Sequence, residues 1–210
     1  ISIGENSSKN EITELTLRNI KLAIKSAGFF NLYSKGKLKE YGLFYNKNED
    51  IAFRRVFDYL SECLKITKEL VSEQWSKGEA GYIFRNNGIA GFIRFYGDIL
   101  KFLIQQKKCI PVSDDISDIM PQVKKLLIPV CEKLNKADEE EISILRTYGG
   151  GGPTKYQRYL QLYLSDHEKL FDPPGLIEWL ENQTVEAPGT GDKIKKMEVW
   201  IMDIIRQFLI

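Results

Sequence analysis

The 210-residue chain contains one histidine and three cysteines, and these scarcities bound its chemistry first. A structural zinc site draws four ligands from Cys, His and carboxylates at close, recurrent spacings. Cys63, Cys109 and Cys131 are too scattered to supply them, so neither a metal site nor a bound cofactor is expected. An odd number of distant thiols also argues against a disulfide framework. Cys63 and Cys131 sit in apolar helical patterns, which reads as buried free thiols of a reducing, cytoplasmic setting. Charge of one sign is missing too: 30 Lys and Arg stand against 29 Asp and Glu, a net charge of +1. That balance excludes a strongly basic nucleic-acid coat and leaves room for local patches. The longest apolar stretches are broken by charge within a few residues, so no membrane contact is expected. No signal-peptide pattern follows Ile1. The chain opens on Ile1 and stops inside the apolar run Ile204 to Ile210, and it reads as a fragment of a longer intracellular protein.

What is present is helical periodicity. With 43% apolar and 28% charged residues, the chain can bury a core. The first periodic segment runs from about Glu11 to Ala27, with Ser8 and Glu11 as a capping box and Gly28 as the stop. Phe29 to Tyr45 mixes aromatics with Gly36 and Gly42 and predicts a loop with a short hairpin. A long helix is expected from about Glu49 to Trp75, capped by Asn48. Its buried stripe is expected at Phe53, Val56, Phe57, Leu60, Leu64 and Val71. Further helices are expected over Ile89 to Gln106, Asp114 to Asn135 with Pro121 in the first turn, Ala137 to Tyr148, Pro153 to Leu164, Gly175 to Asn182, and Ile194 to Phe208. Gly91 and Gly97 inside the Ile89 helix cost roughly 1 kcal/mol each relative to Ala and point to close packing on a neighbour. The pattern predicts an all-α fold with one short hairpin. One irregular helical domain is expected over residues 1–183, followed by a linker and terminal helix over 184–210.

One stretch stands out for chemistry. Gly149, Gly150, Gly151 and Gly152 precede Pro153, and the helix that follows carries Thr154, Lys155, Tyr156 and Arg158 early. Four consecutive glycines cost backbone entropy and are kept where the chain needs unusual angles or close approach. A glycine-rich loop feeding a helix N-terminus offers N–H donors and a positive dipole end, which suits a phosphate. Lys155 and Arg158 share one face, and Tyr156, Tyr159 and Tyr163 share the next. Cations beside aromatics suit a nucleic-acid strand. The stretch is not a Walker A loop, because Thr154 and Tyr156 flank the lysine, and it lacks the strand of a dinucleotide fingerprint. A plain connector ahead of a helix with core tyrosines, and a catalytic loop, remain open beside phosphate contact.

Other candidates carry less. His167 lies in a polar stretch and reads as solvated. Asp114, Asp115 and Asp118 lack the Gly and Glu positions of a calcium loop and read as helix capping. Arg85, Arg94 and Lys101 read as scattered cations of a neutral protein. No general base lies beside the glycine run, so the chain itself reads as non-enzymatic.

Trp75, the run Gly81 to Phe92, the glycine run with Pro153, Lys155, Tyr156 and Arg158, and Phe171 to Leu176 together carry a likeness. Over residues 50 to 182 the chain resembles the C-terminal helical region of DGQHR-domain proteins, bacterial DNA-modification and defence proteins related to DndB. The Asp-Gly-Gln-His-Arg motif itself is absent, as in a fragment lacking the ParB-like N-terminal part. The resemblance implies DNA-linked work in a bacterial cytoplasm. The expected function is a non-catalytic module that contacts nucleic-acid phosphate through Gly149 to Gly152, Thr154, Lys155, Tyr156 and Arg158. The alternative is a protein–protein or self-association module acting through Trp200, Ile204 and Phe208 of the terminal helix.

Overall fold

A computed structural model describes residues 17–78, 81–83, 85–146 and 151–179. It holds helices α1 (Leu17–Ser26), α2 (Glu49–Leu70), α3 (Ser72–Ser76), α4 (Asn86–Gln105), α5 (Ile116–Asn135), α6 (Glu139–Leu145) and α7 (Gly152–His167). The hairpin strands β1 (Leu32–Ser34) and β2 (Lys37–Glu40) lie between α1 and α2. The fold is all-α with one short antiparallel hairpin. The first capping box and the terminal helix with Trp200, Ile204 and Phe208 lie outside the described residues. Contacts divide the chain into two compact units, residues 1–164 and 165–210. Within the second unit, Ser165 Oγ donates to the Phe171 carbonyl at 2.9 Å.

The hairpin turns on Lys35 and Gly36, both at positive φ (50° and 73°), as a two-residue turn between twisted strands requires. Ser34 pairs with Lys37 and Tyr33 with Leu38, and a register shift between Leu32 and Tyr33 gives Leu32 Glu40 as its partner. Asn48 caps α2 by accepting the Ile51 N–H at 3.1 Å. The long helix expected to Trp75 breaks at the fully buried Val71, whose φ of −122° leaves the helical region. Its buried face is also rotated from the expected one. Ala52, Val56, Tyr59, Cys63, Ile66 and Thr67 point inward, whereas Phe53 and Phe57 are each 62% exposed. Polar atoms explain the rotation: the Tyr59 hydroxyl donates to the Tyr96 carbonyl at 2.9 Å, and Thr67 Oγ1 shares a 2.7 Å hydrogen bond with the Tyr96 hydroxyl. A satisfied hydroxyl loses little on burial, so these polar residues enter the core.

α4 occupies the centre. Ile89, Ala90, Phe92, Ile93, Phe95, Tyr96, Ile99, Leu100, Phe102 and Leu103 are all buried, which covers nearly its whole circumference. α1 packs on α4, α2 packs on α5, and α4 also touches α2 and α5. Both glycines of α4 mark close approaches. A Cβ on Gly91 would lie 2.8 Å from the Tyr156 side chain, and one on Gly97 would lie 2.9 Å from the Ala27 Cβ and nearer still to its carbonyl. α5 begins after Asp115 and contains Pro121 and Pro129. Pro121 is its sixth residue rather than part of its first turn, so each proline removes a hydrogen bond within the helix. Arg55 of α2 ties down the preceding linker, donating to the carbonyls of Pro111, at 2.9 Å, and Asp114. α6 opens with a reciprocal capping box: Asp138 Oδ1 accepts the Glu141 N–H, and Glu141 Oε2 accepts the Asp138 N–H.

The three cysteines are free and buried. Burial raises the Cys109 thiol to about 11 and the Cys131 thiol to about 12, and pushes Cys63 up as well. Burial likewise raises the phenols of Tyr59, Tyr96 and Tyr156, and takes Tyr82 to about 12.

Two outcomes are expected. Gly97→Ala gains roughly 1 kcal/mol of helix propensity but drives a methyl into the Ala27 backbone just past α1, an overpacking that costs about 1–3 kcal/mol, so a net loss of up to about 2 kcal/mol should appear in urea unfolding. A stabilised variant would contradict the close approach. The second concerns alkali. The buried thiols and phenols stay protonated in the fold after the unfolded chain ionises, from its ordinary thiol value of 9.0 upward. Their contribution is therefore complete below about pH 9 and is lost as pH rises through the folded values, at about 1.4 kcal/mol per unit for each such group. Urea midpoints measured under reductant from about pH 7 to about pH 11 should hold and then fall. A flat profile would contradict the burial.

Candidate functional site

α4 and α7 lie side by side and run in the same direction. Asn87 meets Gly152, Gly91 meets Tyr156, Arg94 meets Thr154, and Asp98 meets Gln157 and Gln161, so the contacts advance together along both helices. A parallel pair brings two N-termini, and two positive dipole ends, to one place. Glycine makes the approach possible at its head: a Cβ on Gly152 would fall on the Asn87 carboxamide. Gly152 is therefore buried for packing, whereas Gly151 is exposed with open space around it. Gly149 and Gly150 lie outside the described residues.

The seam between the helices is polar. Arg94, half-buried, donates through a terminal guanidinium nitrogen to Thr154 Oγ1 at 2.7 Å, while its Nε is buried with no acceptor among the described residues. Asp98 Oδ2 accepts from Gln157 at 2.6 Å and from Gln161 at 2.7 Å. Arg158 donates to Gln161 Oε1 at 2.8 Å, and the charge of Asp98 acts on it. Burial raises the Asp98 carboxyl, opposed by the two glutamine hydrogen bonds and by Lys101 and Arg158. Burial lowers Arg94 and Arg158, with Asp98 restoring part of the loss, and it lowers Lys155. Lys155 is half-buried; its backbone N–H donates to the Gly151 carbonyl at 3.0 Å, and its side chain has no hydrogen-bond or ion-pair partner among the described residues.

The expected contact residues thus separate. Gly151, Gly152, Thr154 and Lys155 form the head of α7, beside the start of α4. Arg158 is engaged inside the seam. Tyr156 is 1% exposed, its ring 5.8 Å from that of Phe92, and its hydroxyl has no hydrogen-bond partner among the described residues. It packs the core and offers no face to a base, as do Tyr159 and Tyr163, which form an edge contact at 6.4 Å. Arg94 joins the site although its sequence context reads as a scattered cation. The signal for it was the spacing of Arg94, Asp98 and Lys101, which mark one stripe at i, i+4 and i+7 on an otherwise apolar helix. His167 is exposed, and Asp115 serves as the first flanking residue of α5. Among the described residues, no group of His, Cys, Asp and Glu could hold a metal ion, and no helix is long and apolar enough to cross a membrane.

The chain matches no family model, no curated protein and no solved structure.

The lone hydroxyl generates a prediction. Tyr156→Phe removes a buried, unpaired polar atom and keeps the ring, so it should raise unfolding stability by about 1 kcal/mol. A loss of stability would show that the hydroxyl has a partner.

Proposed function

We propose that this chain is a non-catalytic helical module of a larger bacterial protein acting on DNA, in gene regulation or phage defence. In this reading the shared head of α4 and α7 holds a backbone phosphate. The observation that carries it is the half-buried Lys155 side chain at the N-terminus of α7, beside the guanidinium of Arg94 on Thr154, with no carboxylate partner for Lys155 among the described residues. A cation in the first turns of a helix is opposed by the dipole, and burial makes an uncompensated charge costlier still. A phosphate oxygen relieves both at once, accepting from Lys155 Nζ and from the N–H groups at the start of α7. Gly151, with open space around it, lets a sugar–phosphate chain approach the backbone. DNA as the source of that phosphate follows from the resemblance to DGQHR-domain proteins, whose likeness includes this same glycine run and Lys155. Tyr156 and Arg158 have structural duties here, so the contact set contracts to Gly151, Gly152, Thr154, Lys155 and Arg94.

A second reading, a protein–protein or self-association module, has one described feature in its favour. Phe53 and Phe57 stand one turn apart on α2, largely exposed.

The deciding measurement is fluorescence anisotropy with single- and double-stranded DNA between about 50 and about 200 mM salt. Lys155→Ala should weaken binding about tenfold and reduce the salt slope by about one, with the fold intact. An unchanged slope overturns the phosphate contact. A chain that binds neither form of DNA and sediments as a dimer would favour the second reading instead.

A further inference from the structure

A cavity of about 410 Å³ opens between α1, the hairpin and α4. Lys25, Arg94 and Lys101 line it against a single carboxylate, Glu40, and the rings of Phe30 and Tyr41 form part of its wall. Lys25 comes from the last turn of α1 and Lys101 from the stripe of α4 that already carries Arg94 and Asp98. Neither lysine forms an ion pair with a described residue. Gly28 leaves room for Lys101: a Cβ there would lie 3.3 Å from its Cε and 3.4 Å from its Nζ. Tyr41 is 65% exposed and stacks on Tyr45 with ring centroids 5.3 Å apart.

This combination has a definite chemical complement. Three cations lining one cavity favour an anion of more than one charge. Aromatic walls select a flat, polarisable ring. A carboxylate at the same opening accepts hydrogen bonds from amino or hydroxyl groups. The volume lies at the small end of the range for cofactor and metabolite sites, enough for one base, sugar and phosphate and too small for a dinucleotide. We propose that the cavity binds a single nucleotide unit, with its phosphate against Lys25, Lys101 and Arg94, its base along Tyr41 and Phe30, and Glu40 taking a base or sugar donor. The site shares Arg94 with the head of α7 and otherwise uses different residues, so the two readings stand or fall separately.

The test is isothermal titration of the chain with adenosine monophosphate, adenosine and inorganic phosphate in parallel. Saturable binding of the nucleotide is expected, with adenosine and inorganic phosphate each weaker by about tenfold or more. Lys25→Gln with Lys101→Gln should weaken nucleotide binding by at least about tenfold, and Tyr41→Ala by about fivefold or more. Lys68→Gln, an exposed cation at the end of α2, should leave it unchanged. A single-stranded oligonucleotide that displaces the nucleotide, and is itself weakened by the Lys25 and Lys101 changes, would identify the unit as part of a strand. Undisturbed binding would identify a free metabolite. No saturable binding, binding indifferent to Lys25 and Lys101, or inorganic phosphate binding as well as the nucleotide would each overturn the inference. Loss of nucleotide binding with DNA binding intact would leave the phosphate reading at α7 standing.

Discussion

The constraint on which the rest of this structure depends is the burial of α4 on nearly every side. A helix so placed can keep only a narrow polar line, and Arg94, Asp98 and Lys101 occupy it. Neighbouring elements are arranged around them. α7 supplies Thr154, Gln157 and Gln161 as partners, and α1 with the hairpin leaves the open space beside Lys101. Small residues set the distances. Gly91 admits the Tyr156 ring and Gly97 admits the backbone of Ala27, just past α1. Packing and electrostatics are therefore one arrangement here rather than two.

The same geometry places two positive helix ends side by side. Antiparallel helix neighbours cancel much of each other's dipole, whereas α4 and α7 run together and add. Asp98 compensates from within the seam, and two amide hydrogen bonds hold its carboxylate in place there. The head of the pair has no such carboxylate among the described contacts.

Much of the fold was legible in the sequence because the signals were local. Asn48 before two acids reads as a cap, the alternation among aromatics, Gly36 and Gly42 reads as a loop with a short hairpin, and glycines inside an apolar helix read as close packing. The parts that escaped depend on partners distant in the chain. Tyr59 and Thr67 face inward because Tyr96 answers their hydroxyls, and no spacing rule on α2 records that. Phe53 and Phe57, the largest apolar groups, lose their place to them. The glycine run was recognisable as unusual, yet Gly152 owes its identity to Asn87, and the importance of Arg94 rests on a threonine 60 positions later. Tyr156 looked like a ligand-facing ring because a helical face shared with two other tyrosines is equally a core face.

The pairing order of the helices has a consequence for how the chain is made. α1 finds its partner in α4, and α2 finds its partner in α5, so each pairing spans a member of the other. Neither can close as a hairpin of adjacent helices. At about 5–20 residues per second, α1 and α2 leave the ribosome seconds before α4, and they spend that interval with their core faces uncovered. Such interleaved contacts slow folding relative to an up-and-down bundle. In return, every connection between α1 and α5 lies inside at least one closed pairing, so cutting the chain at any of them separates helices that the native core holds together.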